Sequence, residues 1–155
     1  MLLSKHLAKH FNDVYFGGNW TSVNFKDVLA DVRWQQAITP VAHLNTIADL
    51  TFHTNYYVQP VLRVLQGGDL IASDELSFDT PEIHSERDWS TLIGRVFEEA
   101  EQLSIKIEQL DEALLFQDFT AAKYGSYYRN LAGVIEHCHY HLGQIVLIKK
   151  ILTGQ

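Results

Sequence analysis

Asn130-Leu131-Ala132-Gly133-Val134-Ile135-Glu136-His137-Cys138-His139-Tyr140-His141-Leu142-Gly143-Gln144-Ile145-Val146-Leu147-Ile148 has the apolar spacing of a long helix, with polar groups set into its core stripe. That stripe carries Gly133, Val134, Ile145 and Ile148, and on the same face Asn130, His137, His141 and Gln144. The helix is expected to start near Ser126 and run to about Leu152. Lys149 and Lys150 then fall near its end, where the helix dipole favours cations. An apolar stripe of this length must face other helices, so the fold is a bundle. His137 and His141, at i and i+4, stand one above the other and point into it.

The remaining segments also follow helical periods, and no period-two run argues for a strand. Leu3, Leu7, Phe11 and Val14 make a first helix ended by Gly17-Gly18. A short helix is expected from Ser22, with Phe25, Val28, Leu29 and Val32 on one face. Thr39-Pro40 looks like a helix start, a capping hydroxyl followed by proline at the first helical position. From there the pattern runs through Leu44, Ile47, Leu50, Val58, Val61 and Leu65 to Gly67-Gly68, with Pro60 expected to kink or end it. Residues 67–87 are acidic and aperiodic, a loop long enough to cover a site or an interface. Ser85-x-x-Asp88 resembles a capping box ahead of Trp89, Leu92, Ile93, Val96, Phe97, Ala100, Leu103 and Ile107. Asp111 to Lys123 follows neither period. The fold class is therefore all-α: a four-helix bundle, an additional short helix, and a long loop between the second and third long helices. It is read as one domain over 1–155, with no internal repeat.

Composition narrows the partners. The chain has 155 residues, 46% of them hydrophobic, and 12 basic against 19 acidic side chains, net −7. So acidic a surface argues against non-specific binding of nucleic acid or an anionic membrane, both of which need a basic patch. No apolar stretch approaches the ~20 residues that span a bilayer. The N-terminus, Met1-Leu2-Leu3-Ser4-Lys5-His6, turns polar before an export-signal core forms. Cys138 stands alone and cannot form an intrachain disulfide, which points to a reducing compartment. Eight histidines against one cysteine and one methionine mean that a soft-metal site must be built from imidazole.

A buried imidazole pair is costly unless partnered, and one divalent cation satisfies both acceptor nitrogens. The alternative is a pair of hydrogen-bonded core histidines. The natural third ligand is His53, midway along the second long helix, on the side made core-facing by Ile47 and Leu50. Three histidines with an open position resemble a catalytic metal site rather than a closed thiolate one. The other histidines fit less well. His6 and His10 flank their stripe beside Lys5 and Lys9; His43 is expected near a helix start, facing away; His84 lies in the acidic loop. His139 is turned about 160–200° from His137 and His141. Glu136-x-x-His139 matches half of a di-iron motif, but the chain has no second copy. Cys138 is expected to be buried and inert. Gly133 and Gly143, unfavourable in mid-helix, suggest close helix approach or room for a ligand.

The segment His137-Cys138-His139-Tyr140-His141-Leu142-Gly143-Gln144, with a histidine halfway along the second helix, resembles the DinB/YfiT-like proteins, a family of damage-inducible-type four-helix bundles. The resemblance extends from about Trp20 to Lys150. It implies that His53, His137 and His141 bind a divalent metal cation, nickel or zinc, and that the protein is a bacterial, cytosolic homodimer. Many members carry an arginine between the last histidine and the glycine, and a histidine before it. This chain has Leu142 and Tyr140 there. Characterised members of the family include metal-dependent transferases and isomerases that use low-molecular-weight thiols.

Three functions follow as expectations. The first is a stress-response or detoxification enzyme that transfers a small-molecule thiol to an electrophilic substrate, with Asp49, Tyr57 and Gln144 as pocket candidates. The second is a metal-dependent hydrolase, in which water replaces the thiol. The third is a non-catalytic, metal-stabilised dimeric bundle.

Overall fold

A computed structural model describes residues 2–154. Among these residues six α-helices form: α1 (Leu3–Phe16), α2 (Phe25–Leu29), α3 (Trp34–Ala37), α4 (Ile47–Leu65), α5 (Glu86–Glu108) and α6 (Tyr127–Thr153). Single 3-10 turns at Asp74–Leu76, Glu112–Phe116 and Ala122–Tyr124 join the rest, and no strand forms among the described residues.

The four long helices close into a ring. α1 packs on α5, α5 on α4, α4 on α6, and α6 back on α1. Each turns one apolar face inward, so Phe11, Ile47, Val58, Leu103, Ile107, Leu131 and Ile145 meet in one buried core. α2 wedges against α1 and α6, where Phe25 stacks on Tyr15 with ring centroids 4.8 Å apart. α3 lies against α4 and α5, beside the buried Trp89, whose indole N–H donates to the Val32 carbonyl at 2.8 Å.

Three expectations about element boundaries are corrected. The second long helix does not start at Thr39-Pro40. The chain turns there, with Leu44 N–H bonded back to the Val41 carbonyl and Ala42 at a φ of +50°. Thr46 is the true cap: its hydroxyl accepts from Asp49 N–H while the Asp49 carboxylate accepts from Thr46 N–H, a reciprocal capping box. His43 therefore sits in the preceding turn, exposed, and not in the helix. The first short helix starts at Phe25, capped by Asn24, because Ser22 takes a left-handed φ of +56°. Pro60 does not end α4, which runs on to Leu65. The expected starts of α5 and α6 hold, with Ser85 and Ser126 as caps accepting from Asp88 and Arg129 N–H. Residues 111–123 contain only two 3-10 turns, at Glu112–Phe116 and Ala122–Tyr124, the second ending at Tyr124.

Candidate metal centre

The inward faces of α4 and α6 decide where the histidines go. On α4, buried Leu50, Thr54 and Val58 fix the rotation of the helix; on α6, Val134, Cys138, Leu142 and Ile145 do the same. His53 therefore meets His137 and His141 across the α4–α6 seam. His53 and His141 are each 7% exposed, and His137 is half-buried. One ligand nitrogen from each ring lies within 4.8 Å of the other two. His53 Nε2 is 3.2 Å from His137 Nε2, and the His137 and His141 ring centroids are 4.4 Å apart.

Two of the three rings have their tautomers fixed. His53 donates Nδ1–H to the Ser77 carbonyl at 3.1 Å, and His141 donates Nδ1–H to Gln144 Oε1 at 2.7 Å. A carbonyl oxygen only accepts, so each ring keeps a bare Nε2 lone pair. His137 Nδ1 is buried with no hydrogen-bond partner. Burial lowers the pKa of all three rings. It holds His137 down to about 4, with the neighbouring His141 and His53 adding to the effect. His53 is lowered chiefly by burial, opposed by its bond to Ser77. His141 is lowered by burial and partly restored by Gln144. At neutral pH the three rings are uncharged, and the bare Nε2 atom of His53 faces His137 Nε2 at hydrogen-bond distance. Bonds of about 2.0–2.1 Å at tetrahedral angles set neighbouring nitrogens about 3.3 Å apart. The 3.2 Å between His53 and His137 fits that spacing, so the donor set suits a divalent cation.

The acidic loop proves to be the outer wall of this centre. Besides the Ser77 carbonyl, it supplies Phe78, stacked on His53 with centroids 3.8 Å apart and planes 10° from parallel. Tyr57 O–H donates to Asp74 Oδ1 at 2.8 Å, and Ser73 N–H donates to the Tyr56 oxygen at 2.9 Å. Burial and the Asp74 bond raise the Tyr57 pKa. Ser77 and Phe78 escape sequence reasoning because the loop has no period to mark its inward side.

Of the three pocket candidates, two lie at the centre. Gln144 holds His141 on its own helix instead of reaching a facing one. The Tyr57 ring stands edge-on to His53 and His137, at 5.2 and 4.9 Å. Asp49 is committed to the α4 cap and to the Thr80 hydroxyl at 2.8 Å. Close helix approach does not explain Gly133 or Gly143, since a Cβ added at either meets nothing within 4 Å. His6 and His10 are exposed, and His84 donates to Glu82 at the surface. His139 packs near His10, with centroids 5.9 Å apart, and takes no part in the cluster. Cys138 is fully buried, and burial pushes its thiol up to about 12.

His137 also lines a cleft of about 570 Å³ whose walls include Tyr57, Val61, Phe119, Lys123, Arg129 and Gly133. Lys123 and Arg129 bring two cations to a cleft of this acidic chain. Arg129 is marked by the i, i+4, i+8 series Arg129, Gly133, His137, whereas Lys123, in an aperiodic turn, carries no such mark. No helix is long and apolar enough to cross a membrane among the described residues. Neither a family model, nor a curated protein, nor a solved structure matches the chain. The structure itself shows an all-helical bundle with a clustered three-histidine site able to coordinate a metal ion, as in metal-binding helical bundles.

Proposed function

We propose that this chain is a divalent-metal-dependent enzyme that transfers a low-molecular-weight thiol to an electrophile, as some characterised members of the DinB/YfiT-like family it resembles do. The observation that carries this reading is the convergence of three neutral imidazoles beside an open cleft. His53, His137 and His141 would hold a nickel or zinc ion without neutralising its charge, which would lower the pKa of a bound thiol from its free value of about 8.5. The chain's own groups prepare the place. Ser77 and Gln144 hold two of the rings by their Nδ1–H groups, and Phe78 covers His53 from solvent. Cys138 is sealed in the core, so the reacting sulfur comes in as substrate. The same reading places the protein in the cytoplasm as a homodimer.

Elemental analysis of the purified protein beside His137→Ala tests the centre. About one metal ion per chain is expected in the parent and a large loss in the variant, and equal content in both overturns the site. Thiol consumption with an electrophile, with metal restored and with metal chelated, tests the reaction. Ester or amide turnover without thiol would replace transfer by hydrolysis. A melting temperature lowered by chelation, with no activity on restoring the metal, would leave a structural ion.

A further inference from the structure

One face of α6 connects the histidine cluster to the far rim of the cleft. Arg129, Gly133 and His137 follow at i, i+4 and i+8, a line of roughly 12 Å at the helical rise. Arg129, its side chain folded over Gly125, stands at one end of that row and His137 at the other, with Gly133 between them and Asn130 and Val134 beside it on the cleft wall. A Cβ built on Gly133 meets nothing within 4 Å, so the gap is open space. Lys123 enters the same cleft from the 3-10 turn before α6, its ammonium 4.8 Å from the Tyr124 ring centroid. Neither Lys123 nor Arg129 forms an ion pair among the described residues. Asp74, the acid on the cleft wall, accepts from Tyr57 instead. Val61, Leu70 and Phe119 make the walls between the two ends apolar. In a chain of net −7, two cations against a single acid give this cleft a local positive balance that favours an anion. A planar guanidinium matches a carboxylate with two parallel hydrogen bonds.

We propose that the cleft takes a small organic carboxylate. Its carboxylate lies on Arg129 and Lys123, its apolar body lies over Gly133, and its far end reaches His137. This deepens the proposed function and rests on it only in taking the ligand as that enzyme's substrate. The test is calorimetric titration of metal-loaded protein with 4-phenylbutyrate and with 4-phenylbutyramide, repeated on chelated protein. The acid is expected to bind about tenfold more tightly than the amide in both forms. R129Q removes most of that preference. G133L retains the melting temperature, since the space is open and leucine favours helix, and loses binding of both probes.

Failure of the acid to bind, or equal binding of acid and amide, overturns the proposal. So does a preference that survives R129Q and disappears on chelation, because the carboxylate would then sit on the cation. A chain that binds the acid as expected but consumes no thiol refutes the proposed function and leaves this inference standing.

Discussion

Gln144 reaches His141 from one turn further along the same helix, and the bond ties ring orientation to the helix itself. Partners of this kind fix the tautomer of a ligating histidine, and their loss typically costs about 10–100-fold in metal affinity. Gln144→Leu is therefore expected to weaken nickel or zinc binding by that factor, read by competition with a chromophoric chelator. Gln144→Glu, which keeps an acceptor at the same reach, is expected to retain it. His137 and His141 are legible in the sequence because polar groups on an apolar stripe stand out at i and i+4. His53 is legible because Ile47 and Leu50 mark its side of α4 as inward. The bond from Gln144 to His141 is not, since a glutamine on a core face can turn to either neighbour.

At the scale of elements, the start of α4 separates what spacing reveals from what it conceals. Thr39-Pro40 and Thr46-x-x-Asp49 both carry start signals, and the backbone at Ala42 decides between them. That left-handed residue closes a turn after Pro40, which leaves Thr46 to supply the cap. Thr46→Ala is expected to cost ~1 kcal/mol of stability in a urea titration. Metal content should be unchanged, because the cap lies more than a turn before His53. Amphipathic helices are legible throughout the bundle, since their period follows from burial. The 66–85 segment is illegible for the opposite reason: it reaches inward through isolated residues, Leu70, Ser77 and Ile83 among them, with no repeat to link them.

The histidine cluster gives the whole molecule a defined response to pH once the cation is chelated. Each ring has a folded pKa below its unfolded value of about 6.5, and His137 lies at about 4. Between those values the unfolded chain binds more protons than the native one, so stability is full above pH 6.5 and falls as pH drops toward 4. Urea midpoints of chelated protein are expected to fall between pH 7.5 and 5, and His137→Gln should flatten the curve. The carboxylates of Asp88 and Glu112, lowered by hydrogen bonds, lose their contribution only at lower pH, outside that range. The buried Cys138 offers a clock for the same molecule. Its sulfur touches only the core and the Tyr15 hydroxyl, 3.4 Å away, so an aromatic disulfide reagent must wait for the bundle to open. The rate of labelling under native conditions then counts opening events one chain at a time. Adding nickel or zinc should slow that clock as the free metal concentration rises above its dissociation constant. The native chain adds no signal of its own to an assay that follows the loss of free thiol.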